Sequence, residues 1–375
     1  MKVILRKIRT YIYWIKSFNQ FVNSIFKDYS HYLKPGKYKY LYHLGHFYHV
    51  EFDLGLLPND ISANRRKNKS YSKFSSFILK ISYFIIATMK KKHVKKSKNN
   101  QYNAPFAFNK IGSGFKLFDL DNKKVITVMS NREFAEKIEE INIINDNFTT
   151  PIETIKNNTN VIIEDWVDFD DSSQIKEKNG FKAFNQFIDD LILFTSNYEF
   201  KETLKIRSNK VIVSLKSNYK LKSLFEYISK KVLKDLNDLQ LEFNRINFFY
   251  DIGLGNFNIK NNQYHLIDYD GFQDIPPLNI FFRILLSLSS ATKMRPILFY
   301  KSGYFDGKLK ALFAAEKLAY DPNLKDLYFV ISQLIEIYVL YGNTTISDDV
   351  AKNYVKFFKK YFSIKPNKEE IKNHF

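Results

Sequence analysis

The stretch Phe248–Phe272 reads FFYDIGLGNFNIKNNQYHLIDYDGF. Its apolar runs and turn residues predict a strand, a loop, a second strand, a tight turn and a third strand. Asp251 and Asn256 flank a glycine-containing loop, and Asp268 follows the apolar third strand. Carboxylate and amide oxygens are the hard ligands that magnesium prefers, together with water and substrate phosphates.

The same residues also have a purely structural explanation. Asp and Asn are common in turns because their side chains bond to their own backbone. The spacing of Asp251, Asn256 and Asp268 therefore gains its meaning from the segments that precede it.

Those segments alternate between strand and helix patterns after residue 105. Strands are predicted over Phe106–Ile111, Phe115–Leu120 and Lys124–Met129, because apolar residues there alternate between turn signals. A helix is predicted over Asn131–Asn147, with Asn131 as its cap, and a short apolar strand over Asn160–Glu164.

Taken in this order, the segments resemble the kinase-fold phosphotransferases that act on small molecules and sugars: aminoglycoside phosphotransferases, choline kinases and lipopolysaccharide core kinases. Their catalytic loop has His-Gly-Asp, an Asn at the same separation as Asn256 from Asp251, and then Ile-Asp-aromatic, as in Ile267-Asp268-Tyr269. The resemblance implies that Asp251 orients the acceptor hydroxyl and accepts its proton. It implies that Asn256 and Asp268 hold Mg²⁺ against the phosphates of ATP.

The resemblance also implies nucleotide-binding positions upstream. The segment Phe108–Phe118 (FNKIGSGFKLF) is similar to a glycine-rich phosphate loop. Glu136 would be the ion-pairing glutamate of the first helix, and Asn160–Val167 is similar to the hinge whose backbone binds adenine. The nucleotide-binding residues so implied are Gly112, Ser113, Gly114, Lys116, Thr127, Glu136, Glu164, Asp165, Trp166 and Val167.

Two departures from the family pattern bear on activity. Thr127 stands where the family has a phosphate-binding lysine, so Lys116 or Lys124 would have to supply that charge. Phe249-Tyr250 replaces the His-Gly that precedes the catalytic Asp. Loss of a charge that stabilises the transition state costs orders of magnitude in rate. A catalytically weak or inactive pseudokinase, serving as a nucleotide-binding or scaffold protein, is therefore the alternative to an active enzyme.

The predicted fold class is α+β, with the two lobes of the protein-kinase-like fold. Residues 105–167 would form the small β-rich lobe with the glycine-rich loop and the hinge, and residues 168–375 the larger, mostly helical lobe with the catalytic loop. Residues 1–100 would form a separate, basic and mainly helical region. The polar stretch Ser97–Pro105 marks the predicted boundary between that region and the small lobe.

The amino-acid composition excludes some kinds of functional site and favours some kinds of partner. The chain has 375 residues and no cysteine, which excludes disulfides, thiolate metal sites and a cysteine nucleophile. Its net charge of +19 favours anionic partners such as an acidic membrane surface or a charged acceptor, although an AT-rich genome also enriches lysine. No zinc finger or RNA-binding sheet motif is visible, so a nucleic-acid-binding protein is the weaker alternative.

The N-terminal residues 1–33 show apolar side chains at three- and four-residue steps, which predicts a helix. The favoured interpretation is a helix packed on its own domain, and the other is a basic amphipathic helix on an acidic membrane. The apolar run Phe77–Met89 is shorter than the roughly 20 residues that span a bilayer. The protein is therefore predicted to be cytoplasmic, with a peripheral association at the inner face of the membrane.

The function predicted from the sequence is ATP-dependent transfer of phosphate to a hydroxyl of a sugar, a glycan or another small alcohol. The resemblance to envelope-sugar kinases suggests a role in polysaccharide biosynthesis.

Overall fold

The computed structural model describes residues 12–41, 46–51, 81–96, 102–110, 114–168, 177–207, 226–228, 240–249, 252, 256–291, 295–341 and 348–365, with short gaps at 14, 17, 83–84, 87, 89–92, 201–202 and 270. The chain divides into two compact units. The first comprises Met1–Glu139 and Pro151–Val167, and the second comprises Glu140–Thr150 and Asp168–Phe375.

The first unit is built on one antiparallel sheet. Its strands are β1 (Gly36–Leu41), β2 (His46–His49), β3 (His93–Val94), β4 (Phe106–Lys110), β5 (Gly114–Asp119), β6 (Lys124–Val128), β7 (Ile152–Lys156) and β8 (Val161–Asp165). Their order across the sheet is β3-β1-β2-β4-β5-β6-β8-β7. The three strands predicted after residue 105 are present as β4, β5 and β6, and the strand predicted at Asn160–Glu164 is present as β8.

One face of this sheet packs against the N-terminal helix. Alternate residues of the central strands, among them Leu117 and Ile126, share a buried core with helical residues of the segment 18–28, namely Phe18, Phe21, Val22 and Ile25. These described residues of the helix therefore bury their apolar side chains within their own unit, as the favoured interpretation expected. It ends in a π-helical turn at Ser24–Asp28, followed by a 3₁₀ turn at Ser30–Tyr32, and residues 1–11 lie outside the described part of the chain.

The residues before and after the predicted boundary at Ser97–Pro105 belong to the same sheet. In β2, Phe47 pairs with Ala107 of β4, and Tyr48 pairs with Phe106. Strands β1, β2 and β3 thus extend the sheet to which β4, β5 and β6 belong, whereas the sequence suggested a separate region for residues 1–100.

Helix α1 (Asn131–Asn147) has the predicted bounds and contributes residues to both units. Its cap is Ser130 rather than Asn131, because the backbone N–H of Glu133 donates to Ser130 Oγ at 3.2 Å. Ser130 and Glu133 have the spacing of a capping box, which moves the cap one residue earlier than predicted.

The second unit combines helices with short two-stranded sheets. Its strands are β9 (Thr203–Arg207), β10 (Gln240–Asn244), β11 (Ile246–Phe249), β12 (Phe257–Lys260), β13 (Gln263–Leu266) and β14 (Phe272–Ile275), paired as β9–β10, β11–β14 and β12–β13. Its helices are α2 (Glu177–Asn197), α3 (Pro277–Ala291), α4 (Pro296–Ser302), α5 (Asp306–Ala315), α6 (Lys325–Tyr341) and α7 (Asp348–Ser363).

The strands predicted within Phe248–Phe272 are thus present, and the predicted α+β class is confirmed. Between β9 and β10 the structure describes only residues 226–228, which are helical. Among the helices that the structure describes, none combines the length and apolar character needed to cross a bilayer.

Candidate functional site

Asn256 and Asp268 lie at the same end of the hairpin formed by β12 and β13. Phe257 pairs with Leu266, so Asn256 and Ile267 continue the ladder at its open end. There the N–H of Ile267 donates to the carbonyl oxygen of Asn256 at 3.0 Å. The other end of the hairpin closes through Asn261 and Asn262, whose φ values of 51° and 66° suit the two-residue turns that favour Asn. The backbone of the hairpin therefore brings the two predicted metal ligands together.

Asp268 adopts a left-handed backbone conformation, with φ at 57°. An L-residue in this region costs about 1–2 kcal/mol, although Asp and Asn visit it more often than other residues do. Residues keep such a strained conformation only where the surrounding structure holds them in it. They are found most often at active sites and ligand-binding sites. Asn256 is buried and Asp268 is half-buried, so neither side chain is a freely solvated surface group.

Asp251 lies outside the described residues, as do Tyr250 and Asp270, but the chain on either side of this segment is placed. In the antiparallel pair β11–β14, Phe249 is opposite Phe272. The chain therefore leaves β11 towards Asp251, and enters β14 after Asp268, at the same end of this small sheet. Phe249 and Ile252, which flank Asp251 in sequence, are both buried.

A buried network holds the hairpin within its unit. Tyr264 in β13 donates its hydroxyl hydrogen to Asp190 Oδ2 of α2, and its oxygen accepts the N–H of Thr149 at 3.0 Å. The N–H of Leu266 donates to the carbonyl of Thr149 at 2.9 Å. Burial raises the pKa of Asp190, and the hydrogen bond from Tyr264 opposes that rise. Sequence analysis missed this network because Asp190 and Tyr264 are distant in the chain.

The donor set at the hairpin end suits magnesium. Asn256 offers an amide oxygen and Asp268 offers carboxylate oxygens, and Mg²⁺ takes one or two such protein ligands and completes its shell with phosphates and water. In the part of the chain that the structure describes, no three His, Cys, Asp or Glu residues form a cluster that could hold a metal by themselves.

In the first unit, Gly112 and Ser113 lie outside the described residues, and Gly114 opens β5 with φ at 107°. A Cβ atom at Gly114 would lie 1.9 Å from the carbonyl oxygen of Val128 on β6. Close pairing of β5 with β6 therefore requires glycine here, whether or not a phosphate binds nearby.

Lys116 lies directly opposite Thr127 in the β5–β6 ladder. Opposed residues of antiparallel strands project from the same face, so the Lys116 side chain leaves the sheet beside Thr127. Thr127 is buried, and its hydroxyl donates to Glu164 Oε2 at 3.3 Å.

Lys124 has different surroundings. It lies three positions before Thr127 on β6, so it projects from the opposite face. Its ammonium group is bound to Asp165 at 2.6 Å and to Glu153 at 2.7 Å. Of the two lysines that the sequence left open, Lys116 is the one beside position 127.

Several backbone groups of residues Glu164–Val167 in the predicted hinge already form hydrogen bonds within their unit. The N–H of Asp165 donates to Pro151 O at 2.8 Å, and the N–H of Trp166 donates to Lys123 O at 2.8 Å. The backbone of Glu164 is paired with both neighbouring strands of the sheet. Among these four residues, the N–H of Val167 makes no hydrogen bond to any residue that the structure describes.

The role of Glu136 as the ion-pairing glutamate stays a prediction. Glu136 is exposed and pairs with Arg132 one turn earlier at 2.7 Å. Glu133 is the buried carboxylate of this helix, and it accepts a hydrogen bond from Lys137 at 2.8 Å. The capping role of Ser130 sets the position of Glu133 in the first turn, and this spacing was visible in the sequence.

No protein-family model matches the chain, and no curated protein matches it. Solved structures do match. An ADP-bound aminoglycoside phosphotransferase is 11% identical, with a TM-score of 0.34, covering 68% of this chain and 91% of its own. The choline kinase LicA from Streptococcus pneumoniae is 13% identical with the same TM-score and coverages. A choline/ethanolamine kinase family protein from Mesorhizobium loti is 9% identical, with a TM-score of 0.34, covering 68% and 86%. Because these TM-scores lie below 0.5, the conclusions on function rest on the chain's own residues.

Proposed function

We propose that the protein is a phosphotransferase that moves phosphate from ATP to a hydroxyl group of a small molecule, a sugar or a glycan. The observation that carries this proposal is the placement of Asn256 and Asp268 at one end of the β12–β13 hairpin, joined by the bond from Ile267 N–H to Asn256 O. The shared end of β11 and β14, through which the chain passes to Asp251, adds support.

Each of the three residues has a distinct role in this proposal. Asp251 would orient the acceptor hydroxyl and accept its proton. Asn256 and Asp268 would hold Mg²⁺, which when bound would neutralise charge on the nucleotide phosphates. The burial of Asn256 and the backbone conformation of Asp268 would help to position these oxygens before a ligand binds.

The first unit would contribute nucleotide contacts. Lys116 is proposed as the cation for the phosphates, in place of the lysine that is absent at Thr127, because its side chain projects beside that position. Val167 is proposed as the adenine-binding residue of the hinge, because its N–H is not used by the described part of the chain. Gly112 and Ser113 are also proposed to contact the phosphates, because their segment is similar in sequence to a glycine-rich phosphate loop.

The cellular setting is proposed from charge. A net charge of +19 favours an acceptor that is anionic or lies at an acidic membrane surface, such as an envelope glycan at the inner face of the membrane. Since Phe18, Phe21, Val22 and Ile25 are buried in the first unit, an association with lipid would rely on lysine side chains rather than on the apolar stripe of this helix.

The decisive experiment measures ATP binding and turnover with and without magnesium. Asp268→Asn is preferred over Asp268→Ala because Asn tolerates the left-handed backbone and so leaves the fold intact. We expect this variant to lose the magnesium-dependent part of ATP binding, and Asp251→Asn to keep ATP binding while losing turnover. If Asp268→Asn binds ATP with unchanged magnesium dependence, the proposed site is incorrect.

A second candidate is an inert relative that binds nucleotide without turnover. The observation that favours it is the buried Thr127–Glu164 bond at the position where the resemblance expects a lysine. Wild-type protein that binds ATP equally with and without magnesium, and transfers no phosphate to sugars or small alcohols, would establish this candidate instead.

A further inference from the structure

A groove of about 580 Å³, lined mainly by residues that carry polar or charged groups, lies in the second unit beside the first three turns of α2. It is bounded by Asn262, at the turn of the β12–β13 hairpin, and by Tyr304, just after α4. Asn256 and Asp268 lie at the other end of that hairpin, four strand residues away, or about 13 Å. The groove is therefore separate from the proposed magnesium site. Its volume falls within the range of small-molecule sites.

The chemistry of the groove differs from that of an ordinary apolar pocket. Three amide side chains from α2 face it: Asn179, Asn185 and Gln186. An amide both donates and accepts hydrogen bonds, so neighbouring amides match a ligand that carries several hydroxyl groups. Such a ligand would exchange bonds to water for bonds to these side chains.

The charge of the groove is positive. Lys178 and Lys182 are one helical turn apart on α2, both are exposed, and neither forms an ion pair with any residue that the structure describes. The one carboxylate in the lining, Asp189, is ion-paired with Lys308. A ligand with negative charge would thus meet two lysines that no carboxylate of the described residues neutralises.

Tyr304 gives the groove an ordered aromatic wall. Its hydroxyl accepts a hydrogen bond from Asn185 Nδ2 at 3.1 Å, and its ring contacts the rings of Phe181 and Phe299 from within the unit. The residue is nonetheless 36% exposed, so an apolar ring surface remains available beside the amides. An aromatic ring with a polar tip offers both kinds of contact that a sugar ring can use.

From these contacts we infer that the groove binds a sugar that carries a negative charge, as a phosphate or a carboxylate. The amides and Tyr304 would contact the sugar ring, and Lys178 and Lys182 would contact the anionic group. The groove would hold an acidic glycan or sugar away from the proposed reaction centre. This inference does not depend on the protein being a phosphotransferase.

The test is calorimetric or NMR titration of the full chain, without ATP or magnesium, using four probes: glucose 6-phosphate, glucuronate, glucose and inorganic phosphate. We expect at least one of the two anionic sugars to bind, and to bind about tenfold more tightly than both glucose and inorganic phosphate. The double variant Lys178→Ala/Lys182→Ala should lose that preference over glucose. Lys310→Ala, which removes an exposed lysine of α5 outside the groove, should bind like wild type.

One further variant separates sugar recognition from simple attraction of anions. Tyr304→Ala should weaken binding of the anionic sugar and leave inorganic phosphate unaffected. The inference is overturned if inorganic phosphate binds as tightly as both anionic sugars, if neither anionic sugar binds, or if Lys310→Ala weakens binding as much as the double variant does. Circular dichroism of each variant confirms that its fold is retained.

Discussion

Lys116 and Thr127 are directly opposed on the adjacent antiparallel strands β5 and β6. The Cβ atoms of such a pair lie about 4.5–5.5 Å apart, so a cation placed at either position reaches the same region of the sheet face. A lysine on β5 can therefore serve where the resemblance places one on β6. The two positions can be exchanged experimentally.

We expect Lys116→Met to weaken ATP binding by about tenfold, because it removes a cation that contacts the phosphates. Adenosine, which has no phosphates, should bind the variant as it binds wild type. Adding Thr127→Lys to this variant should recover most of the ATP affinity, since the ammonium group returns to the same face. Isothermal titration with ATP and with adenosine measures each effect.

Lys124→Met is the matched control, because Lys124 projects from the other face and is held by Asp165 and Glu153. Its ATP affinity should change less than threefold, a difference of about 0.6 kcal/mol. A larger loss in Lys124→Met than in Lys116→Met would assign the phosphate cation to Lys124.

Tyr264→Phe should destabilise the protein by about 1–3 kcal/mol, because the N–H of Thr149 and the carboxyl of Asp190 would each lose a buried partner. Since Tyr264 lies in the hairpin that carries Asn256 and Asp268, the magnesium concentration needed for ATP binding should also rise. Denaturant unfolding and magnesium titration measure the two effects. Tyr227→Phe is the control, because no hydrogen bond of its hydroxyl is found in the described chain, and it should unfold like wild type.

Glu316 makes stability depend on pH. Burial raises the pKa of this carboxyl from 4.5 to about 8, and the hydrogen bond from the N–H of Asn244 only partly opposes that rise. The folded state therefore keeps a proton that the unfolded chain loses above 4.5. The contribution of Glu316 to the unfolding free energy should be fully present below pH 4.5 and fall as pH rises to about 8, by on the order of 4 kcal/mol.

Glu316→Gln removes the ionisable group, so this part of the pH dependence should disappear, as measured by urea unfolding between pH 5 and 8. Glu226→Gln, a change at an exposed glutamate, should keep the wild-type slope. An unchanged slope in Glu316→Gln would mean that another group governs this range.

Gly114→Ala should destabilise the first unit by about 2 kcal/mol or more, because its Cβ would meet Val128 O and its φ of 107° disfavours a side chain. Gly307→Ala is the opposite case, because no atom lies within 4 Å of the added Cβ in α5. It should stabilise its helix by about 0.5–1 kcal/mol. Thermal unfolding of the two variants should therefore shift in opposite directions.

The local features of this fold were predictable because they depend on nearby residues. The hairpin around Asn261 and Asn262 follows from turn chemistry and alternation. The helix Asn131–Asn147 follows from its apolar period and its flanking polar residues, although the capping box at Ser130 was overlooked. These local patterns are enough to predict that Asn256 and Asp268 lie near each other.

The features that were not predicted depend on contacts between distant parts of the chain. Sheet register is set by packing on the face as well as by turns, so the pairing of β2 with β4 could not be derived from either strand alone. The bond between Asp190 and Tyr264 has no local pattern, and the bonds that occupy Asp165 and Trp166 require the positions of Pro151 and Lys123. Composition also could not show that Lys124 is held by two carboxylates.

The pairing of β2 with β4 sets a limit on how this protein can be shortened. Removing the first hundred residues would uncover the backbone donors and acceptors of β4, together with the apolar face that Phe18 and Phe47 now cover. An open edge with that composition invites pairing with other chains. A fragment starting near residue 105 should therefore aggregate on its own, and the role of the N-terminal residues is better tested by substituting exposed lysines in the intact chain.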